Sequence, residues 1–254
     1  AITAATCGHH VTLCEASSRL GGQANLAAQL PDRSEFGGLI TNLTQELART
    51  PVEVRLNTFV TAALVRQIAP DAVILATGSV PYLPPAEGLD TAHTLTAHQV
   101  LSGHGNPGNR VVIADWRCDW VGIGLAELMA KSGRHVRLAV NGMHPGQELQ
   151  PYLRDHLAGK LHRAGVQILP YARLFGADED TVYLSHTITG DAILCEDTDT
   201  LILAYGTHPD TTLEQALSGL NVPLLMAGDC LSPRTAEEAV LEGMTAALSL
   251  ETLS

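Results

Sequence analysis

Aromatic residues make up only 4% of the 254 residues, there is no run of basic residues, and no apolar stretch approaches the length of a membrane span. Fifteen Lys and Arg face 27 Asp and Glu, for a formal charge of −12. A chain this acidic repels phosphate backbones, which argues against a nucleic-acid partner. No charged-then-apolar leader pattern opens the sequence, so neither secretion nor membrane insertion is expected and the reading is cytoplasmic. The five cysteines, Cys7, Cys14, Cys118, Cys195 and Cys230, form no Cys-x-x-Cys pair, and their scatter argues against a zinc or iron–sulfur motif. They read as small buried thiols in a reducing compartment. The eleven histidines lack metal-ligand spacing, and no Gly-x-Ser-x-Gly elbow marks a hydrolase.

What is present is an alternation of strand-like and helix-like segments. Residues 1–6 read as a helix stopped by Gly8, and 11–15 as a short strand ending in an acid. Residues 34–49 carry a helical stripe of Phe36, Leu39, Ile40, Leu43 and Leu47. Short strands are expected at 52–56, 59–60 and 72–76, followed by a stiff connector containing Pro81, Pro84 and Pro85. A second start follows: strand 110–114, helix 120–131, strand 135–140, helix 149–163 and strand 166–169. Residues 172–196 read as an antiparallel meander. Strands 201–205 and 224–227 and a helix over 234–250 close the chain. This alternation predicts a doubly wound α/β fold.

The two starts divide the chain into two Rossmann-like nucleotide-binding units, the second inserted into the first. Residues 1–95 plus 206–254 form the first, and 96–205 the second. In such a unit the acid about 20 residues beyond the glycine turn, at the end of the second strand, binds ribose hydroxyls. Glu15 has that place. Counting back from it puts the glycine turn and first strand ahead of residue 1, so the first unit is expected to lack both. Alone, Glu15 is equally an ordinary strand-end acid. Three further elements tip the reading: the loop Arg19-Leu20-Gly21-Gly22-Gln23, the turn Ala76-Thr77-Gly78 after a buried strand, and Gly228-Asp229 before the final helix. Their glycines allow close approach of a ligand to backbone.

These elements occur in the order found in flavoproteins with two dinucleotide domains of the glutathione-reductase type. More narrowly, residues 8–15 through Gln23, with Gly228-Asp229 and Pro233-Arg234, resemble the C-terminal half of the trimethylamine dehydrogenase and 2,4-dienoyl-CoA reductase family. The resemblance covers essentially the whole chain. It implies FAD or ADP here, and FMN with a 4Fe-4S cluster in an N-terminal barrel that these residues do not include. It implies that Glu15, with neighbouring Ala16, meets ribose, and that the backbone near Val60 meets adenine. Arg19, Gly22 and Gln23 would line the same cleft, Ala76, Thr77 and Gly78 would pack near the nucleotide, and Asp229 would meet the ribityl or pyrophosphate region beside Arg234. No catalytic or metal-ligating residue is expected in this portion.

The second unit departs from the pattern. Strand 110–113 runs into Ala114-Asp115-Trp116-Arg117-Cys118-Asp119 in place of Gly-x-Gly-x-x-Gly, with Trp116 expected to fill the pyrophosphate's space and Asp115 and Asp119 to repel it. Gly122 and Gly124 come too late, inside the helix. The next strand ends at Asn141 without an acid for a ribose hydroxyl. NAD(P)H is therefore not expected here. The turn is similar to that of the amine-dehydrogenase branch, in particular to enzymes that demethylate N-methylated amino acids such as N-methylproline. The implied function is oxidative demethylation of a methylated amine, with electrons passed to an electron-transferring flavoprotein. The expected partners are that flavoprotein and the N-terminal barrel, and a homo-oligomer stays open. Two alternatives stand beside it: an NAD(P)H-dependent enoate or dienoyl-CoA reductase, and a non-catalytic nucleotide-binding interaction domain.

Overall fold

In the computed structural model, which describes residues 1–252, the chain separates into two units. One comprises Ala1–Asn25, Glu35–Val80 and the chain from Thr207 onward, and the other Leu26–Ser34 and Pro81–Gly206. The expected long helices form at Glu35–Leu47, Trp120–Lys131, Pro151–Arg163 and Ala236–Ser249. No described helix is long and apolar enough to cross a membrane.

The second unit is built on a five-stranded sheet ordered Thr94–Thr96, Thr200–Ala204, Arg110–Asp115, His135–Val140, Gln167–Leu169, with every neighbouring pair parallel. Its central strands are apolar along their length because both faces are covered. Side chains alternate between faces with the strand period of two. Val111, Ile113, Val136, Leu138, Val140 and Ile202 join the core that includes Ile123, Leu125, Leu157 and Leu161 from the two long helices. Val112, Ala114, Ala139, Leu201 and Leu203 meet Leu174, Val182, Leu184 and Cys195 of the meander instead. That meander is the antiparallel sheet Ala192–Cys195, Val182–His186, Ala172–Ala177. Strand Arg110–Asp115 continues through the sheet in one direction, while Thr200–Ala204 flanks it on the other side. The carboxyl ends of these two neighbours therefore form a topological switch point, where open α/β sheets hold their ligands.

The first unit has shorter strands. Thr12–Cys14 pairs in parallel with Glu53–Arg55, and Leu224–Met226 in parallel with Val73–Leu75. Among the described residues these pairs are separate two-stranded sheets. A small core of Val65, Leu75, Leu217 and Cys230 lies beside the second pair. The strand expected at 59–60 does not form. After Arg55 the chain turns back, with the Thr58 N–H donating to the Glu15 carbonyl at 2.8 Å, and Thr61 then caps helix Ala62–Ile68 by accepting from the Leu64 N–H. A capping threonine so soon after a turn leaves no room for a strand.

Candidate functional site

In the first unit, Glu15 stands immediately beyond strand Thr12–Cys14, held by its N–H bond to the Arg55 carbonyl at 2.9 Å. Its Oε1 accepts from the Ser17 N–H at 2.8 Å and the Ser17 hydroxyl at 2.7 Å. This local turn fixes one carboxylate oxygen. Ala16 and Arg19 are exposed on the loop that follows, and Gly22 takes a left-handed φ of 47° with open space where a side chain would stand.

Gln23, Ser79 and Asp229 form a second group. Gln23 Nε2 donates to Ser79 Oγ at 2.7 Å and to Asp229 Oδ2 at 3.1 Å. Ser79 Oγ lies 2.9 Å from Thr207 Oγ1 and 3.3 Å from the same Asp229 oxygen. Gly78, at φ 80°, has only the Gln23 amide near the place of a Cβ, at 3.7 Å. Ala76 and Thr77 are exposed, and Thr77 Oγ1 donates to the Asp210 carbonyl at 2.9 Å. On the other side of Asp229, the Gly228 N–H donates to Glu242 Oε2 at 2.8 Å, and Arg234 pairs with Glu242.

The structure thus links Gln23, Asp229 and Arg234 by hydrogen bonds, with Gly78 beside the Gln23 amide, and leaves Glu15, Ala16 and Arg19 as a separate loop group. Val60 is half-buried against the small core of Val65 and Leu75. Ser79, Thr207 and Glu242 belong to this network and were not singled out from sequence. Ser79 directly follows the Ala-Thr-Gly turn. Thr207 and Glu242 carry no local signal, because their roles depend on partners 128 and 14 residues away.

The chemistry fits the ribose end of an adenine nucleotide. A carboxylate closes a parallel strand, and glycines with left-handed backbone leave space beside strand ends. A group rich in acceptors, Asp229 with the Ser79 and Thr207 hydroxyls, suits polyhydroxyl recognition.

The corresponding turn of the second unit is closed by its own side chains. Asp115 ends its strand fully buried, with Oδ1 accepting from the Cys118 N–H at 2.9 Å. Burial, reinforced by the nearby Asp119 charge, pushes its carboxyl up to about 8. Burial likewise raises the Cys118 thiol to about 11, which leaves it protonated and unreactive. Asp119 caps helix Trp120–Lys131 by accepting from the Val121 N–H at 2.9 Å. Trp116 directly follows Asp115 on this turn. It is 42% exposed and stacks on Tyr205 across the switch point, with ring centroids 5.8 Å apart. The indole reaches a large aromatic partner there, whereas the compact Asp115 carboxyl fits beneath the turn. Gly122 lies within the helix, as expected, and faces that carboxyl.

Residues 1–224 match the family described as pyridine nucleotide-disulphide oxidoreductase. An N,N-dimethylglycine/sarcosine dehydrogenase of Chromohalobacter salexigens is 37% identical over 149 residues, covering 56% of this chain and 22% of that protein. A bilirubin reductase of Mediterraneibacter gnavus is 31% identical over 242 residues, 94% of this chain and 37% of that one. Among solved structures, a 2-naphthoyl-CoA reductase complex is 26% identical and superposes with a TM-score of 0.87, over 96% of this chain and 36% of its own. The chain thus spans little more than a third of the length of these relatives, or less.

Proposed function

The chain belongs to the pyridine nucleotide-disulphide oxidoreductase family, and from that premise we propose that its first unit holds the adenosine portion of FAD or ADP. The observation that carries this reading is Glu15, a carboxylate fixed at the carboxyl end of a parallel strand beside an open glycine loop. In this reading Glu15 accepts from ribose hydroxyls, Ala16, Arg19 and Gly22 border the nucleotide, and the Val60 backbone faces adenine. Ala76, Thr77 and Gly78 border it along the second strand pair, and Asp229, oriented by Gln23 and accompanied by Gly228 and Arg234, takes the ribityl or pyrophosphate region. Bound FAD would supply acceptance of a hydride and release of single electrons, whereas bound ADP would serve structure alone.

The proposed architecture is two Rossmann-like units, residues 1–95 plus 206–254 and residues 96–205, the second inserted into the first. The parallel pairing of both strand pairs in the first unit supports it, since Rossmann-like units are built on parallel strands.

The proposed parent is a dehydrogenase of the trimethylamine dehydrogenase and dienoyl-CoA reductase type, with FMN and a 4Fe-4S cluster outside these residues. It would oxidatively demethylate an N-methylated amine and deliver electrons to an electron-transferring flavoprotein. The similarity to a dimethylglycine/sarcosine dehydrogenase supports the substrate class. A second reading, an NAD(P)H-dependent reductase, draws support from the two reductases matched along nearly the whole chain. The Asp115–Asp119 turn favours the first, because a working nicotinamide site needs free donors there. Titrating ADP calorimetrically into the wild type and Glu15→Gln tests the nucleotide claim. Loss of one charge-assisted hydrogen bond is expected to weaken binding at least about tenfold. Equal affinities in two folded proteins would refute the assignment of Glu15.

A further inference from the structure

The turn between strand Arg110–Asp115 and helix Trp120–Lys131 has the parts of an anion site. It lies at a topological switch point and opens a twelve-residue helix. Its Cys118 N–H is held inward by a left-handed residue at φ 51°. Consecutive backbone N–H groups around a left-handed residue, next to a helix N-terminus, form a concavity suited to phosphate oxygens. Here the chain's own carboxyls take the donors. Asp115 Oδ1 receives the Cys118 N–H, and Asp119 Oδ1 receives the Val121 N–H.

Asp119 is an ordinary helix cap, half exposed to the surface. Asp115 is not. It is 2% exposed, and its second oxygen, also sealed from solvent, has no hydrogen-bond partner among the described residues. Gly122 opposes it so closely that a Cβ there would stand 2.2 Å from the carboxyl carbon. A carboxyl with an oxygen sealed from water and unpaired would ordinarily be excluded from such a place.

We infer that Asp115 is a built-in occupant of a dinucleotide-phosphate site: its carboxyl fills the concavity and takes the donor that a diphosphate would need, and removing it opens the turn to that ligand. The inference rests on the reading of the second unit as a nucleotide-binding fold. It goes further by assigning the Cys118 donor to the Asp115 carboxyl, beside the ordinary cap that Asp119 makes on Val121.

Amide NMR with NADH as the probe tests this. In the wild type, millimolar NADH is expected to leave the Cys118 and Val121 amides unmoved. In Asp115→Gly the freed Cys118 amide is expected to shift, with an affinity at least about tenfold above any wild-type binding. Asp115→Asn keeps the shape of the plug and is expected to stay closed. Asp115→Ala carries the same expectation as the glycine variant and serves if that one fails to fold. A wild-type shift at Cys118, or a folded Asp115→Gly without one, would overturn the inference. Without any variant, rapid hydrogen exchange of the wild-type Cys118 amide would contradict its bond to Asp115. Nucleotide binding at the first unit moves Glu15 and Ser17 amides instead, so failure of the proposed function reads out separately.

Discussion

Asp115 and Gly122 are complementary: the helix carries no side chain at the point where the strand's last residue turns its carboxyl toward it. A Cβ on Gly122 would come within 2.2 Å of both the carboxyl carbon and Oδ2 of Asp115. Gly122→Ala is therefore expected to cost about 2 kcal/mol through overpacking. Thermal unfolding followed by circular dichroism should fall by roughly 4–8 °C. Adding Asp115→Gly should return part of that loss, since the two changes share one cavity. Simple additivity would show that the helix does not feel this carboxyl.

The same carboxyl makes stability depend on pH. Burial, then the Asp119 charge, lifts Asp115 from 3.8 to about 8, against opposing bonds from the Cys118 and Arg117 backbone and the Arg117 charge. The folded state thus keeps a proton that the unfolded chain releases. Asp115's contribution is complete below about pH 4 and drains away as pH rises through about 8. Asp115→Asn cannot ionise, so its melting temperature should gain on the wild type between pH 5 and pH 8. Parallel curves over that range would contradict the assignment.

An ion-pair network around the buried Glu127 holds residues 26–34 within the second unit. Lys160 Nζ lies 2.5 Å from Asp32 Oδ2 and 2.7 Å from Glu127 Oε1, whose side chain is only 5% exposed. Glu127 also pairs with Lys131 at 2.7 Å. Lys160→Met should therefore cost about 2 kcal/mol, less than stranding a fully unpaired buried charge. Amide exchange should accelerate at residues 26–34, and Glu127→Gln added to it should recover part of the stability. Unchanged exchange in that segment would show the network to be incidental.

Most of the second unit was legible because its strands are long, apolar and bounded by helices of clear period. Val111 to Ala114 and Leu201 to Ala204 announce a sheet covered on both faces. The first unit was harder. Its strands are three residues long, and Phe59-Val60 looks like one of them until the Thr58 turn and the Thr61 cap are known. At the site, the glycines and Glu15 could be picked out because backbone conformation and strand ends leave local marks. The bonds from Gln23 to Asp229 and from Ser79 to Thr207 could not, since they join residues 206 and 128 positions apart. The stacking of Trp116 on Tyr205 was not legible either. Its half-buried partner lies far off in sequence, just beyond the neighbouring strand.

Gln23 should orient Asp229 as well as stabilise the first unit. Its amide donates to both Asp229 and Ser79. Gln23→Ala is expected to lower stability by about 1–2 kcal/mol. Chemical denaturation should show an earlier midpoint, and ADP affinity should fall with it. Gln23→Glu should be worse, because it replaces a donor with a second carboxylate facing Asp229.

The central claim is that Glu15 reads ribose, and pairing the Glu15→Gln variant with ADP and 2′-deoxy-ADP measures it directly. Calorimetry on all four combinations forms a cycle in which the protein carboxylate and the ligand hydroxyl are removed separately and together. The account predicts that the wild type loses at least about tenfold in affinity on removal of the hydroxyl, whereas Glu15→Gln loses much less. Equal losses in both proteins would contradict it, because the hydroxyl would then be recognised by some group other than Glu15.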